Sequence, residues 1–243
     1  MAVKLLVSVR NVAEAQDALR GGADIIDIKE PDNGSLGAAS PAVIEDVARF
    51  VDAHRSATTV SAAMGEMTDG LDQPDNFALM SPAPSLYKAG LAGVLNNADS
   101  WQDSWAAFRR QRANLATNSQ WVSVCYADYE RANAPAPTTV LAEGSAFGSP
   151  VLLIDTFEKD STDLLTWLSP AELQDLRDQT EKVGMQLAFA GRLTASRLPE
   201  ILELRPDIVA VRGAACESGN RGSHVSSRCV RELKVQLDRR QHT

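Results

Sequence analysis

The chain has 243 residues, of which 44% are hydrophobic and 23% charged, and a formal net charge of −8. That acidic balance excludes nucleic acid and anionic membrane as main partners, since both attract basic faces, and leaves small anionic substrates recognised by local charge. Cys125, Cys216 and Cys229 form no CxxC pair and show no metal spacing, and no apolar run approaches the ~18 residues of a membrane span, so a soluble, cytoplasmic protein without a disulfide framework is expected.

Residues 5–9 read as a strand, followed by Asn11 as a helix N-cap and a helix over 12–19 that stops at Gly21-Gly22. Residues 25–28 form a second, buried strand. Ile25, Ile26 and Ile28 favour pleated backbone, while Asp27 and Lys29, two apart, point to one side. Pro31 ends this strand, so Lys29 falls at its C-terminal end, opening into a loop over 33–40. A helix with Val43, Ile44, Val47, Ala48 and Val51 at helical spacing precedes a third strand over 58–63. Residues 67–84, broken by Gly70, Pro74, Pro82 and Pro84, read as mostly loop with room for one short helix.

The fourth strand, 85–89, carries Lys88 near its end, and a helix over 100–115 follows with Trp101, Trp105 and Phe108. The fifth strand, 121–125, runs into Tyr126-Ala127-Asp128, and a proline-bearing loop leads to a helix near 138–143. The sixth, 151–154, ends in Asp155-Thr156, with Lys159 four residues past the carboxylate. A helix over 171–183 closes at Gly184, strand 186–190 ends at Gly191-Arg192, strand 208–211 ends at Arg212-Gly213, and a last helix covers 226–237.

Eight strands alternating with helices in this length predict one (β/α)₈ TIM barrel spanning 1–243 as a single domain. An open doubly wound sheet is the alternative, but its nucleotide-binding turns, G-x-G-x-x-G and G-x-x-x-x-G-K-[ST], are absent. In a closed barrel the C-terminal strand ends share the face where barrel enzymes work. That face collects Asp27 and Lys29, Lys88, Tyr126 and Asp128, Asp155 and Lys159, Arg192 and Arg212.

Only six of the 24 basic residues are lysine, and three of those six stand on this face. Lysine, unlike arginine, loses its proton when desolvated, and clustered ammonium groups depress one another's pKa. A neutral lysine forms a Schiff base with an aldehyde or ketone, and neighbouring carboxylates and lysines then move protons. The plainer alternative pairs each lysine with the carboxylate beside it. His54, His224 and His242 lie in polar helical, loop or terminal sequence and are not expected to share this work. The loops after strands seven and eight, Gly191-Arg192 and Arg212-Gly213-Ala214, are candidates for phosphate binding, although turn-making alone also accounts for the two glycines. Cys216 has no evident His or Asn partner and reads as a packing residue.

The runs Leu5-Leu6-Val7-Ser8-Val9, Gly21-Gly22-Ala23-Asp24-Ile25-Ile26-Asp27-Ile28-Lys29-Glu30-Pro31 with Gly34-Ser35-Leu36-Gly37-Ala38, Val60-Ser61-Ala62, Tyr87-Lys88-Ala89-Gly90-Leu91, Tyr126-Ala127-Asp128 and Val211-Arg212-Gly213-Ala214-Ala215-Cys216, with Asp155-Thr156 and Lys159-Asp160, resemble the (5-formylfuran-3-yl)methyl phosphate synthase family in order along nearly the whole chain. The resemblance implies a TIM barrel that condenses two glyceraldehyde 3-phosphate molecules into a phosphorylated formylfuran, losing phosphate and water, in the biosynthesis of methanofuran-type cofactors. It implies Lys29 as the Schiff-base lysine and Lys88 as the proton acceptor, with Asp27, Asp155 and Lys159 as supporting acid–base groups. It implies no metal or organic cofactor and a phosphorylated aldehyde as substrate. Arg192 stands where a small or hydroxylated residue is expected in the family, and residues 67–84 look atypical of it. Another Schiff-base aldolase or dehydratase on a triose or sugar phosphate, and a non-catalytic phosphosugar-binding protein, remain alternatives. A homo-oligomer is expected, with Trp101, Trp105, Phe108 and Trp167 either at its interface or packed against the barrel.

Overall fold

In the computed structural model, which describes residues 2–54, 57–70, 82–96, 100–111 and 119–239, the expected alternation closes on itself. The strands are β1 (Lys4–Val9), β2 (Ile25–Ile28), β3 (Thr59–Glu66), β4 (Leu86–Gly90), β5 (Gln120–Tyr126), β6 (Val151–Asp155), β7 (Gln186–Phe189) and β8 (Ile208–Val211). All neighbours pair in parallel, and β8 returns to β1 to complete an eight-stranded barrel. The helices are α1 (Val12–Gly21), α2 (Pro41–Ala53), α3 (Met67–Gly70), α4 (Trp101–Gln111), α5 (Pro137–Ala146), α6 (Leu164–Trp167), α7 (Pro170–Lys182), α8 (Leu198–Glu203) and α9 (Ser227–Arg239).

Local chemistry explains the starts and stops. The Asn11 side chain accepts from the Glu14 N–H to cap α1, and Gly22 ends that helix at φ 92°. Ser169 and Glu172 form a reciprocal capping box at the start of α7. Two differences from the sequence expectations stand out. β3 runs three residues beyond the expected end, through a register shift between Ala63 and Glu66. Short helices α6 and α8 lie in stretches whose apolar pattern is too brief to announce them. The expectations for 71–81 and 112–115 lie outside the described residues.

Strand alternation divides the core in two. Leu6, Ile25, Val122, Val124, Leu153, Ala188, Ile208 and Ala210 fill the barrel interior, while residues of opposite parity, such as Leu5, Ile26, Ile154 and Val209, pack outward under the helices. Trp101, Trp105 and Phe108 are buried in that outer layer, and Trp105 meets Phe147 edge-on at 4.8 Å between ring centres. Of the two readings open for these aromatics, packing against the barrel is the one observed. Among the described residues, no helix is long and apolar enough to cross a membrane.

Candidate active site

A cavity of about 460 Å³ opens at the C-terminal end of the barrel. Asp27 and Lys29 reach it from β2 and the residue just beyond it, Lys88 from β4, and Asp155 and Lys159 from β6 and its following loop. These are alternate strands, which in such barrels contribute to the same interior layer. Six basic side chains line the cavity (Lys29, Lys88, Lys159, Arg192, Arg212 and Arg221) against two carboxylates, Asp27 and Asp155. A chain of net charge −8 has thus gathered a cationic mouth.

Asp27 is fully buried, and register explains how it is satisfied. Ser8 on β1 and Ser61 on β3 both face Asp27 across the sheet, so all three side chains point inward. Ser61 Oγ donates to Asp27 Oδ1 at 2.6 Å and Ser8 Oγ to Oδ2 at 3.0 Å. The ion-pair partner of Asp27 is Lys88, at 2.6 Å, rather than Lys29 as the two-residue spacing suggested. A side chain two strands away across the narrow barrel reaches it more directly than its own strand neighbour. Burial alone would raise the pKa of Asp27, but the ammonium groups of Lys88 and Lys29 outweigh it and hold the carboxyl below its usual range.

The second carboxylate repeats the scheme. Lys159 Nζ lies 3.0 Å from Asp155 Oδ1, and Asp155 also accepts the Thr156 N–H. Lys159 and Lys29 offset the burial of Asp155 and keep it ionised.

Lys29 differs from both neighbouring lysines. Its Nζ donates to the backbone carbonyl of Ser35 at 3.2 Å, and among the described residues no carboxylate lies within ion-pair distance. Ser35 is itself fixed, since its hydroxyl donates to the Thr156 carbonyl at 2.9 Å. Burial pushes the Lys29 amine down to about 8, with Lys159 and Lys88 adding to the shift and Asp155 and Asp27 opposing it. At neutral pH an appreciable fraction of this amine is therefore uncharged.

The residues expected at the phosphate loops fare differently. Gly191 and Arg192 line the mouth, both with left-handed backbone, at φ 90° and 51°. A Cβ on Gly191 would come within 2.9 Å of Thr156, so the turn needs glycine there. Arg192 donates through Nη1 to the Asp160 carbonyl. Gly213 and Ala214 also line the cavity. Arg212 lines it too, but its guanidinium is already saturated: Nε donates to the Arg221 carbonyl, Nη1 to the Ser8 carbonyl and Glu14, and Nη2 to Glu14 and the Ser223 carbonyl. All five N–H groups have protein acceptors, so the forked donor expected for phosphate is instead a strut between β8 and α1.

Tyr126 and Asp128 are not in the cavity lining. The Tyr126 hydroxyl donates to Glu66 at 2.5 Å inside the barrel wall, where Gly90 leaves the space: a Cβ on Gly90 would overlap both groups. Burial raises the pKa of both Glu66 and Tyr126. Asp128 accepts the Phe157 and Glu158 N–H groups at 2.6 and 3.0 Å and so shapes the loop carrying Lys159. Cys216 is buried and donates to the Arg212 carbonyl, in keeping with a packing role. Ser8, Ser61, Ser35 and Arg221 are the members of the site that sequence reading missed. The three serines fall in runs shared with the family, but a role for Ser8 and Ser61 is readable only from their register with Asp27. Among the described residues no cluster of three or more His, Cys, Asp and Glu is arranged to hold a metal ion.

Fold and mouth together define a (β/α)₈-barrel protein with a lysine-rich, cationic site at the C-terminal face. Thiamine phosphate pyrophosphorylase from Pyrococcus furiosus superposes with a TM-score of 0.61 at 13% identity, covering 98% of this chain and 96% of that one. A 3-hexulose-6-phosphate synthase gives 0.59 at 18% identity, covering 96% and 99%, so both share the fold. The family described as 4-HFC-P synthase matches residues 5–234, and the chain belongs to it. It is 34% identical to the (5-formylfuran-3-yl)methyl phosphate synthase of Methanopyrus kandleri, over 98% of this chain and 100% of the relative. The synthases of Archaeoglobus fulgidus and Methanocaldococcus jannaschii are 31% and 33% identical over 97% and 95% of this chain. Synthase relatives of this breadth mark the chain as an enzyme.

Proposed function

We propose that this enzyme condenses two glyceraldehyde 3-phosphate molecules into (5-formylfuran-3-yl)methyl phosphate through an imine on Lys29. One observation carries the reading. Of three lysines in one cavity, two hold a carboxylate and the third, buried Lys29, holds only a carbonyl and has a pKa brought down to about 8. Neutral Lys29 attacks the aldehyde carbon of the first triose phosphate, and loss of water gives the iminium. The iminium acidifies the adjacent carbon, whose proton passes to the Lys88–Asp27 pair, joined at 2.6 Å. The enamine adds to the aldehyde of the second molecule. Lys159 and Asp155 face the same cavity and donate and accept protons as water and phosphate leave, and hydrolysis of the imine by water restores the Lys29 amine and frees the product.

The test is reductive trapping. Glyceraldehyde 3-phosphate with borohydride should leave one triose adduct, mapped to Lys29 by peptide mass spectrometry, and turnover without borohydride should release phosphate with a furan chromophore. An adduct without furan would point to another Schiff-base aldolase, and no adduct at all would refute the covalent mechanism.

A further inference from the structure

Arg221 lines the cavity from the loop between β8 and α9, half-buried beside Gly219 and Asn220. Its Nη2 donates to the Pro31 carbonyl at 2.9 Å and to the Gly34 carbonyl at 3.4 Å. The N–H groups on Nε and Nη1 have no protein acceptor among the described residues, and no carboxylate there forms an ion pair with this guanidinium. Its charge is therefore poorly compensated: burial and the neighbouring Arg212 depress its pKa, while Asp155 and Asp32 oppose that only at a distance. Its backbone is nevertheless firmly placed, because Arg212 donates to the Arg221 carbonyl at 3.0 Å.

The contrast with Arg212 gives Arg221 a task. Two arginines come from one loop. One is saturated by protein acceptors, and the other presents unused donors and uncompensated positive charge to a cavity where an anion has to be received.

We infer that Arg221 is a phosphate-binding residue of this site, receiving the phosphate monoester of a bound triose phosphate on Nε and Nη1 while Nη2 pins the loop after β2. The assignment rests on the reading that the substrate is a phosphorylated aldehyde. Arginine suits the task because its planar, permanently charged donors match phosphate oxygens. The pinning contact has a second effect. Pro31 and Gly34 belong to the same loop as Ser35, whose carbonyl accepts from Lys29 Nζ, so one guanidinium joins the phosphate end of the substrate to the support of the reactive amine.

Two measurements on the full-length protein test this. Calorimetric titration with inorganic phosphate should show binding to wild type that weakens on the order of 10- to 100-fold in Arg221→Gln, the range for hydrogen bonds to a charged group. Arg221→Lys, which keeps the charge without the planar donors, should fall between them and provides the comparison if the glutamine variant does not fold. Borohydride trapping, run with glyceraldehyde 3-phosphate against unphosphorylated glyceraldehyde, should show the preference for the phosphorylated aldehyde shrinking by a similar factor. Equal phosphate affinity in wild type and the variants, or an unaltered preference between the two aldehydes, overturns the assignment. Arg221-dependent phosphate binding in a wild-type protein that traps neither aldehyde would sustain the assignment and defeat the Schiff-base reading.

Discussion

Arg212 and Lys29 are each 8% exposed in the mouth of one barrel, yet they are held in opposite ways. Arg212 has five acceptors for five donors and a buried carboxylate, Glu14, at 3.0 Å from Nη2. Lys29 has one carbonyl and a depressed pKa. Burial is thus the same, and the degree of compensation separates a strut from a reactive group. Arg212, matched on every side, ties β8 to α1, whereas a lysine left short of partners gives up its proton near physiological pH.

Substitution at Lys29 should expose that difference most strongly. Lys29→Arg keeps a cation but cannot form an imine, so turnover should fall by roughly 10⁴- to 10⁶-fold, the scale for loss of a covalent nucleophile, and the borohydride adduct should vanish. Near-wild-type phosphate release from this variant would contradict the covalent role. Arg212→Met tests the other side. It strands Glu14 inside the protein, and loss of one partner of a buried pair costs about 3–5 kcal/mol. Denaturant unfolding should register that cost, whereas a loss below about 1 kcal/mol would show that Arg212 is not the strut described.

The same comparison shows what sequence could reveal. The barrel was legible because short apolar runs, glycine stops and helical spacing repeat eight times, and the scarcity of lysine pointed to Lys29, Lys88 and Lys159 before any contact was known. Partnerships were not legible. Glu14 looks like an ordinary first-turn acid of α1, yet it is 198 residues from the arginine it neutralises. Asp27 invites pairing with Lys29, two residues on, until barrel closure brings Lys88 to 2.6 Å. Tyr126 and Asp128 lie at the correct strand end, but Glu66 and the 157–158 amides engage their polar atoms. Position along a strand predicts which face a residue joins; which donors stay unmatched depends on loops and on strands remote in sequence.

Titration offers a finer view of Lys29. With its amine at about 8, the neutral fraction rises close to tenfold per pH unit below that value and then levels. The initial rate of trapping with aldehyde well below saturation should follow this curve between about pH 6 and 9. A rate that kept climbing beyond pH 10 would mean the amine keeps an ordinary lysine pKa.

The smallest effect is the most discriminating, because it has opposite signs at the two sites. The folded-state pKa of Lys29 is lowered from 10.5 to about 8, so between those values the unfolded chain binds more protons than the folded one. Stability therefore rises with pH across that window, and below about 8 the folded protein bears the full cost, at most about 3 kcal/mol. Lys29→Met removes the amine and that cost, although Asp27 and Asp155 lose part of their compensation. The variant should be more stable than wild type by about 1 kcal/mol at pH 7, a melting temperature higher by roughly 2–4 °C for a chain of this size. The gap should narrow towards pH 10, where wild-type Lys29 is neutral in the folded state and titrating in the unfolded one. A Lys29→Met protein that is inactive yet more stable, beside an Arg212→Met protein that is less stable, would establish that incomplete compensation at Lys29 is a cost to the fold borne for reactivity. Destabilisation of both variants by similar amounts would instead make Lys29 a second structural cation.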